Sequence, residues 1–377
     1  MTLHTVLDGP ADGPPLILGP SLGTSTRLWD EVLPALTRTH RVLRFDLPGH
    51  GGSAHVPGVP SVAGLAALVA GLADRAGWPD FHYAGVSLGG AIGARLALDH
   101  PGRVRTLALV CSSARFGAPD GWAERARLVR AEGTSPLLAG AASRWFAGGR
   151  AASPHARALL DDLAAADPGG YAAACEALAG HDIRADLGRI TAPTLVIGGR
   201  EDPATPSAHA RELADGVPGA TLIELPGAAH LAPAGRPGEV AAALLAHLGA
   251  ADRHAAGTAV RRAFLGDAHV DRARAATTPF TADFQDLITR YAWGEIWTRP
   301  GLDRRARSCV TLTALVARGH LDELAMHVRA ALRNGLTPDE IKEVLLQTAI
   351  YCGVPAANSA FAVAQRVLDD LPSEETP

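Results

Sequence analysis

The pattern of the chain changes once, near residue 250, and this change constrains the fold more than any other feature. Before it, short apolar runs alternate with stretches of helical spacing; after about residue 257, every segment is typical of helix or loop. Apolar strands separated by helices are characteristic of a parallel sheet covered on both faces. The sequence therefore predicts an α/β domain over residues 1–250 and an all-helical domain over residues 257–372.

Six apolar runs in the first part are predicted strands. They cover residues 15–20, 40–46, 81–87, 105–113, 193–199 and 220–227. Residues 115–190 interrupt the alternation with helical patterns and no clear strand. Ligands of α/β sheets bind beyond the carboxyl ends of the strands, so this insertion is a predicted helical lid over that edge.

The second part carries clear helix boundaries. The run DELAMHVRAALRNG (residues 322–335) predicts an amphipathic helix that ends at Asn334-Gly335, because glycine accepts the left-handed conformation of a C-terminal cap. The following TPDE predicts another helix, with Thr337 as its N-cap and Glu340 completing a capping box.

Composition limits the class of protein and its partners. The formal net charge of −4 provides no basic field for nucleic acid or an anionic membrane, and neither is expected as a partner. The N-terminal residues lack a secretory pattern, and no run approaches the roughly 20 apolar residues that span a bilayer. Four scattered cysteines form no Cys-x-x-Cys pair, so we expect reduced thiols and a cytoplasmic location.

A candidate nucleophile lies in GVSLGG, where Ser87 is the centre of a Gly-x-Ser-x-Gly motif. The motif follows a predicted strand and precedes a helical run, which is the setting of a nucleophile elbow. Serine needs a general base, and the base needs an orienting carboxylate. Asp202 and His230 each follow a later predicted strand, and Glu201 is an alternative acid. The backbone N–H groups of Leu88 and Leu22 are the predicted oxyanion hole.

Four segments, FDLPGHGGS, GVSLGG, LVIGGREDPATP and LPGAAHLAP, resemble the α/β-hydrolase superfamily over residues 1–250. Within it, GPSLGTSTRLWD and SRWFAGG are similar to the 3-oxoadipate enol-lactonases, which open an unsaturated lactone to a keto acid. The resemblance implies that Asp46 belongs to a structural turn. The chain departs from the family at Pro20, where a polar residue such as Asn is common, and the oxyanion loop is therefore less well defined than the triad.

A lactone that bears a carboxylate needs a cation in its pocket, and the planar fork of arginine suits a carboxylate. Arg144, in the predicted lid beside Trp145, is the first candidate, and Arg27 is the second. The alternative for a lid arginine is a solvated surface side chain.

Two polar residues stand out in the helical part. His327 lies at the margin of an apolar stripe, and Glu295 has Trp293 and Trp297 close by in sequence. Desolvation raises the pKa of a carboxyl group, and an imidazole titrates near neutral pH, so both types can move protons. On residue chemistry alone, a solvated glutamate at a helix end and a histidine at a packing edge are the favoured interpretation.

Two longer sequence segments favour a catalytic role for His327 and Glu295. The segments TPFTADFQDLITRYAWGEIWTRPGLDRRARS and ELAMHVRAALRNGLTPDEIKEVLLQTAIYCGVPAAN closely resemble the 4-carboxymuconolactone decarboxylases over about residues 257–370. That family belongs with the all-helical alkylhydroperoxidase-D-like proteins, whose peroxidase branch uses a Cys-x-x-Cys pair. Because Cys309 and Cys352 are single, a thiol peroxidase is the disfavoured alternative.

Such a decarboxylase must stabilise the dienolate left by loss of CO2 and deliver a proton to carbon. The sequence shows no metal-ligand cluster and no cofactor motif, so acid–base residues and cationic donors are expected to do this work. The resemblance implies His327 as the proton donor and Glu295 as its partner. Arg304, Arg305 or Arg329 is expected to hold the substrate carboxylates.

The sequence therefore predicts a bifunctional enzyme of protocatechuate catabolism. The C-terminal domain is expected to decarboxylate 4-carboxymuconolactone to 3-oxoadipate enol-lactone, and the N-terminal domain to hydrolyse that lactone to 3-oxoadipate. A short helical unit rarely encloses a site alone, so a homo-oligomer formed through the C-terminal domain is expected. The alternative is a generic carboxylesterase or lactonase with a C-terminal oligomerisation module.

Overall fold

The computed structural model describes residues 3–58 and 61–370. Its residue contacts divide the chain into two compact units, Met1–Gly249 and Ala250–Pro377. Residues 371 and 372, the last two of the predicted C-terminal domain, lie outside the described residues.

The first unit is built on a seven-stranded sheet of order β1-β3-β2-β4-β5-β6-β7. The strands are β1 (Thr5–Asp8), β2 (Pro15–Gly19), β3 (Arg41–Phe45), β4 (Phe81–Val86), β5 (Val104–Val110), β6 (Thr194–Gly199) and β7 (Thr221–Leu225). Every neighbouring pair is parallel except β1 with β3. The predicted parallel sheet is confirmed, with β1 as an edge strand that the sequence did not predict.

Helices cover the sheet because its central strands are apolar on both faces. They are α1 (Leu33–Leu36), α2 (Val62–Arg75), α3 (Leu88–Asp99), α4 (Pro119–Glu132), α5 (Leu138–Trp145), α6 (Pro154–Ala165), α7 (Pro168–Ala179), α8 (Ser207–Gly216), α9 (Ala232–Gly235) and α10 (Pro237–Leu265). Helices α4 to α7 form the insertion between β5 and β6. Leu16, Ile17 and Leu107 in the sheet are completely buried, which is the burial expected of strands packed on both faces.

The described residues of the second unit contain helices and turns and no strand. After α10 come α11 (Asp267–Ala275), α12 (Ala282–Leu287), a π-helical stretch (Ile288–Ile296), α13 (Arg304–Arg318), α14 (Leu321–Arg333), α15 (Pro338–Cys352) and α16 (Val354–Asp369). The capping box of Thr337 and Glu340 is present at the start of α15, and Gly335 has φ of +91°. The predicted all-helical fold is confirmed.

Two apolar clusters stabilise this second unit. The main helical core contains side chains of α13 to α16, among them Leu312, Val328 and Leu345. A separate aromatic cluster contains Phe264, Leu265, Val270, Trp293 and Ala330.

Helix α10 runs without a break from Pro237 to Leu265. The predicted interval between the domains, residues 251–256, is therefore helical. No helix among residues 3–58 and 61–370 is long and apolar enough to cross a membrane. All four cysteines are free thiols, and the cytoplasmic location stays a prediction.

Candidate active sites

Ser87 occupies a strained turn between β4 and α3. Its φ of 55° and ψ of −115° lie outside the usual regions for a residue with a side chain, and among the described non-glycine residues only Cys111 shares a positive φ. Strain of this kind is held in place by surrounding structure and is concentrated at functional sites. The geometry is that of a nucleophile elbow, with the buried Ser87 directly before the first residue of α3.

Glycines make this turn possible because the backbone segments approach closely. A Cβ atom at Gly89 would lie 2.6 Å from the backbone of Gly19, and one at Gly85 would overlap the backbone of Gly89. No side chain fits at either glycine that flanks Ser87 in the motif, because the neighbouring backbone is too close.

Asp202 and His230 come together at the ends of β6 and β7. His230 Nδ1 lies 2.9 Å from Asp202 Oδ2, and both side chains are buried. Thr205 donates to the same carboxylate through its hydroxyl at 2.6 Å and its N–H at 3.0 Å. Burial alone would raise the pKa of Asp202, but hydrogen bonding and charge from His230, with hydrogen bonds from Thr205, hold that pKa below its ordinary value. Asp202 is therefore a carboxylate that orients the imidazole.

Ser87 and His230 line one small cavity of about 60 Å³. Leu22 lines the same cavity, and Leu88 is the first residue of α3. The lid is tied to this site because His230 and Leu231 donate backbone hydrogen bonds to the carbonyls of Arg144 and Trp145 at 3.2 and 3.1 Å. The cavity therefore brings the candidate nucleophile and candidate base together with residues of the insertion.

Arg144 and Trp145 both line the cavity, together with Arg125 and Tyr171. Burial, and then the neighbouring Arg125, lower the pKa of Arg144. Burial raises the pKa of Tyr171 to about 12. Two half-buried cations side by side repel each other, so this pair favours an anionic ligand. Arg125 was not predicted from the sequence, where its one signal is Trp122, a turn earlier on the same helix.

Arg27 does not line this cavity. A short turn over Thr26–Trp29 directs its side chain outward, where Nη1 lies 3.0 Å from Asp162 Oδ1. Asp46 accepts hydrogen bonds from the N–H groups of Thr26 at 2.6 Å and Gly52 at 2.8 Å. These contacts hold a turn, in agreement with the structural role expected for Asp46.

His327 lies half-buried on α14, between Met326 on the aromatic cluster and Val328 in the main helical core. Burial lowers the pKa of His327, while Glu323 acts to raise it and His269 to lower it. His269, on α11, was not singled out from the sequence, where it is one histidine of fifteen.

Glu295 is exposed in the single chain, which agrees with the solvated glutamate that residue chemistry alone favoured. Trp293 and Trp297 turn inward, stack on each other with centroids 5.3 Å apart and pack on Phe264, whereas Glu295 is exposed. Residues 293 and 297 lie about one helical turn apart and share a face, whereas residue 295 lies half a turn from both. Among the described charged groups, Glu323 and His269 act on the pKa of His327, and Glu295 does not.

The three arginines expected to hold carboxylates differ in their surroundings. Arg305 is paired with Glu340, and Arg329 lies 3.5 Å from Asp370. Arg304 is exposed, with its guanidinium 5.4 Å from the centroid of the Phe264 ring. Arg304 therefore remains the one of the three without a carboxylate partner among the described residues.

Family models match both units. The model for the alpha/beta hydrolase fold matches residues 14–237, and the model for the carboxymuconolactone decarboxylase family matches residues 282–366.

Three known proteins illustrate these similarities. A 4-carboxymuconolactone decarboxylase of Acinetobacter baylyi is 48% identical over 119 residues, which are 32% of this chain and 89% of that protein. The 3-oxoadipate enol-lactonase 2 of the same organism is 36% identical over 224 residues, or 59% of this chain and 84% of that protein. The crystal structure of an enol-lactonase from Burkholderia xenovorans LB400 superposes with a TM-score of 0.63 at 34% identity, covering 65% of this chain and 96% of the other.

Proposed function

Because the chain belongs to the alpha/beta hydrolase fold family through its first unit and to the carboxymuconolactone decarboxylase family through its second, we propose that it catalyses two consecutive reactions. The second unit decarboxylates 4-carboxymuconolactone to 3-oxoadipate enol-lactone. The first unit hydrolyses that lactone to 3-oxoadipate. The observation that carries the hydrolytic half is the 2.9 Å contact of His230 with Asp202 beside the strained Ser87.

In the hydrolytic site, Ser87 attacks the lactone carbonyl while His230 takes its proton. The ring C–O bond breaks, His230 returns the proton to the departing enol oxygen, and the enol rearranges to the ketone. Water then hydrolyses the acyl-serine with His230 as base. The N–H groups of Leu22 and Leu88 hold the developing oxyanion, and Asp202 fixes the tautomer of the imidazole.

The carboxylate of the enol-lactone is held by Arg144 and Arg125. This assignment is supported by the position of both arginines in the cavity wall. They are close enough that Arg125 is among the groups that lower the pKa of Arg144. An anion between them relieves this repulsion, and Tyr171 and Trp145 provide the apolar surroundings that strengthen the contact.

In the second unit, the bond between the ring carbon and its carboxylate breaks and CO2 leaves with no electrons from that bond. The electron pair enters a dienolate that conjugates into the lactone carbonyl. A proton from His327 then adds to the ring carbon next to that carbonyl. His327 is supported by its half-buried position on α14, next in sequence to Met326 at the aromatic cluster and Val328 in the main helical core.

Glu295 becomes the partner of His327 only in an oligomer. Tyr291 and Ile296, on the same π-helical stretch, are large apolar side chains that are 58% and 38% exposed. A second copy of the chain that covers these side chains also desolvates Glu295, which the single chain does not do. Self-association through the second unit is thus part of the proposed decarboxylase site.

The test supplies 4-carboxymuconolactone to the full chain and follows CO2 and 3-oxoadipate together. We expect Ser87→Ala to keep CO2 release and to accumulate enol-lactone, with hydrolysis reduced about 10⁴-fold or more. His327→Ala is expected to reduce CO2 release roughly 10²- to 10⁴-fold while added enol-lactone is still hydrolysed. His320→Ala, at an exposed histidine that precedes α14, is the matched control.

A generic esterase with a C-terminal oligomerisation module gives a different result. In that case the wild-type chain releases no CO2 from 4-carboxymuconolactone, and His327→Ala changes nothing. The two halves of the proposal thus succeed or fail separately.

A further inference from the structure

The second unit contains a cavity whose lining includes neither His327 nor Glu295. Its volume is about 260 Å³, and its lining comes from α10, α11, α12 and the π-helical stretch. This volume lies below the range typical of sites for drug-sized ligands, so the cavity suits a smaller molecule.

One buried cation dominates the wall of this cavity. Arg261 is only 8% exposed, and its Nη1 donates to Gln285 Oε1 at 3.1 Å and to Thr289 Oγ1 at 3.4 Å. Its Nε has no hydrogen-bond partner among the residues that the structure describes. Both partners of Nη1 are neutral, so the charge of Arg261 is oriented and left without an internal counter-ion.

The other charges around the cavity do not neutralise Arg261. Asp286 also lines it, but this carboxylate is taken by Arg290 at 2.6 Å and lies 4.0 Å from His254. Arg274 adds a further cation at the exposed side. Burial alone lowers the pKa of Arg261, with no contribution from a charged group. A buried and unpaired guanidinium is costly unless a ligand supplies the missing anion.

We propose that Arg261 binds the carboxylate that the lactone substrate retains, and this inference rests on the decarboxylase function proposed above. A cation beside the departing carboxylate stabilises the ground state that decarboxylation must leave, and therefore opposes the reaction. A cation on the retained carboxylate binds substrate and transition state equally. Arg261 is thus an anchor for the retained group, held in place by Gln285 and Thr289. The sequence did not single it out because Arg262 follows it directly on the same helix.

The test uses the full chain with Ser87→Ala, so that hydrolysis does not consume the ligands. The probe is muconolactone, in which hydrogen replaces the departing carboxylate. We expect Arg261→Gln to raise the KM for 4-carboxymuconolactone and the Ki of muconolactone against CO2 release in parallel, each about 10- to 100-fold, with kcat little changed. Arg318→Gln, an exposed arginine of the same unit, is the control and should change neither constant.

Two further variants separate binding from folding. Arg261→Lys keeps the positive charge but loses the planar guanidinium. Its KM for 4-carboxymuconolactone and its Ki for muconolactone should therefore lie between those of the parent chain and those of Arg261→Gln. Thr289→Val removes an orienting acceptor and should raise both constants less than Arg261→Gln. A KM that rises while the Ki of muconolactone stays unchanged assigns Arg261 to the departing carboxylate and overturns the proposal, as does no change in either constant.

Failure of the decarboxylase function is distinguishable from failure of this site. If the chain releases no CO2, calorimetric titration with muconolactone still compares the variants. One binding event that is present in Arg318→Gln and absent in Arg261→Gln supports the anion site, and equal binding in both rejects it.

Discussion

His327 is half-buried, and two neighbouring groups shift its pKa in opposite directions. Burial lowers its pKa below the ordinary value, Glu323 one turn earlier on α14 raises it, and His269 on α11 lowers it. A lowered pKa means that the protonated form is complete only in acid and is lost as the pH rises through a value below 6.5. With His327 as the proton donor, the rate of CO2 release should therefore fall as the pH rises, and this fall should begin below neutral pH.

The pH profile of kcat/KM for CO2 release should therefore shift when either neighbour of His327 is substituted. Glu323→Gln removes the influence that raises the pKa of His327, so the alkaline limb should move to lower pH. His269→Gln removes the influence that lowers it, so the limb should move to higher pH. Glu343→Gln, an exposed residue of α15, is the control. Limbs that move in the same direction, or not at all, show that another group titrates.

The residues of the hydrolytic site could be predicted because each follows a strand. Parallel strands bring their carboxyl ends to one edge, so the order Ser87, Asp202, His230 was enough to bring three distant segments together. Arg125 and Arg261 could not be predicted in this way. Each lies on a helix among other arginines, and only the fold shows which arginine of such a helix lines a cavity.

At the scale of elements, the segment from α12 through the π-helical stretch Ile288–Ile296 shows what helical periodicity leaves open. Spacing marks Phe284, Leu287, Ile288 and Tyr291 as one apolar face but does not show whether that face is covered, and Phe284, Leu287 and Tyr291 are 61%, 51% and 58% exposed. The wider π-helical turn instead directs Trp293 into the aromatic cluster. Sequence periodicity assumes 3.6 residues per turn, so it cannot assign faces correctly across such a stretch.

The same stretch depends on a close approach to α10. A Cβ atom at Gly257 would overlap the carbonyl oxygen of Thr289, which is backbone and cannot rotate away. We therefore expect Gly257→Ala to destabilise this part of the second unit by about 1–3 kcal/mol. Because Thr289 also orients Arg261, the KM for 4-carboxymuconolactone should rise in the same variant.

Gly238→Ala is the matched control, since Gly238 lies on the same helix with open space around it. It should be neutral or stabilising by about 0.5–1 kcal/mol, because alanine loses less conformational entropy in a helix. Hydrogen exchange measured by mass spectrometry reads the opening free energy of each segment separately. Unchanged protection of residues 288–296 in Gly257→Ala contradicts the packing argument.

At the scale of the whole molecule, the two units differ in how they cover their apolar side chains. In the second unit, large apolar residues remain exposed at several places, among them the α12 and π-helical region, α13 and the junction of α15 with α16. At that junction Ile350, Tyr351 and Val354 are 78%, 78% and 72% exposed. Monomeric proteins seldom expose apolar groups in such numbers, and larger exposed patches mark interaction surfaces. Self-association through the second unit stays a prediction, and these exposed side chains are the surface on which it can be tested.

The predicted consequence is that oligomer state and decarboxylation change together. Ile350→Asp combined with Val354→Asp places two charges where apolar contact is expected, and charge buried without a partner opposes association. Sedimentation velocity should show the parent chain as an oligomer and this variant as a monomer. Leu7→Asp, at an exposed apolar residue of the first unit, should remain an oligomer.

Activity then separates association from function. If Glu295 needs a second copy for its desolvation, the monomeric variant should lose CO2 release by about 10-fold or more while hydrolysis of added enol-lactone continues unchanged. The first unit holds Ser87, Asp202 and His230 within one chain, so dissociation leaves that site complete. A monomer that decarboxylates at the parent's rate would show that Glu295 acts without a partner or has no part in the reaction.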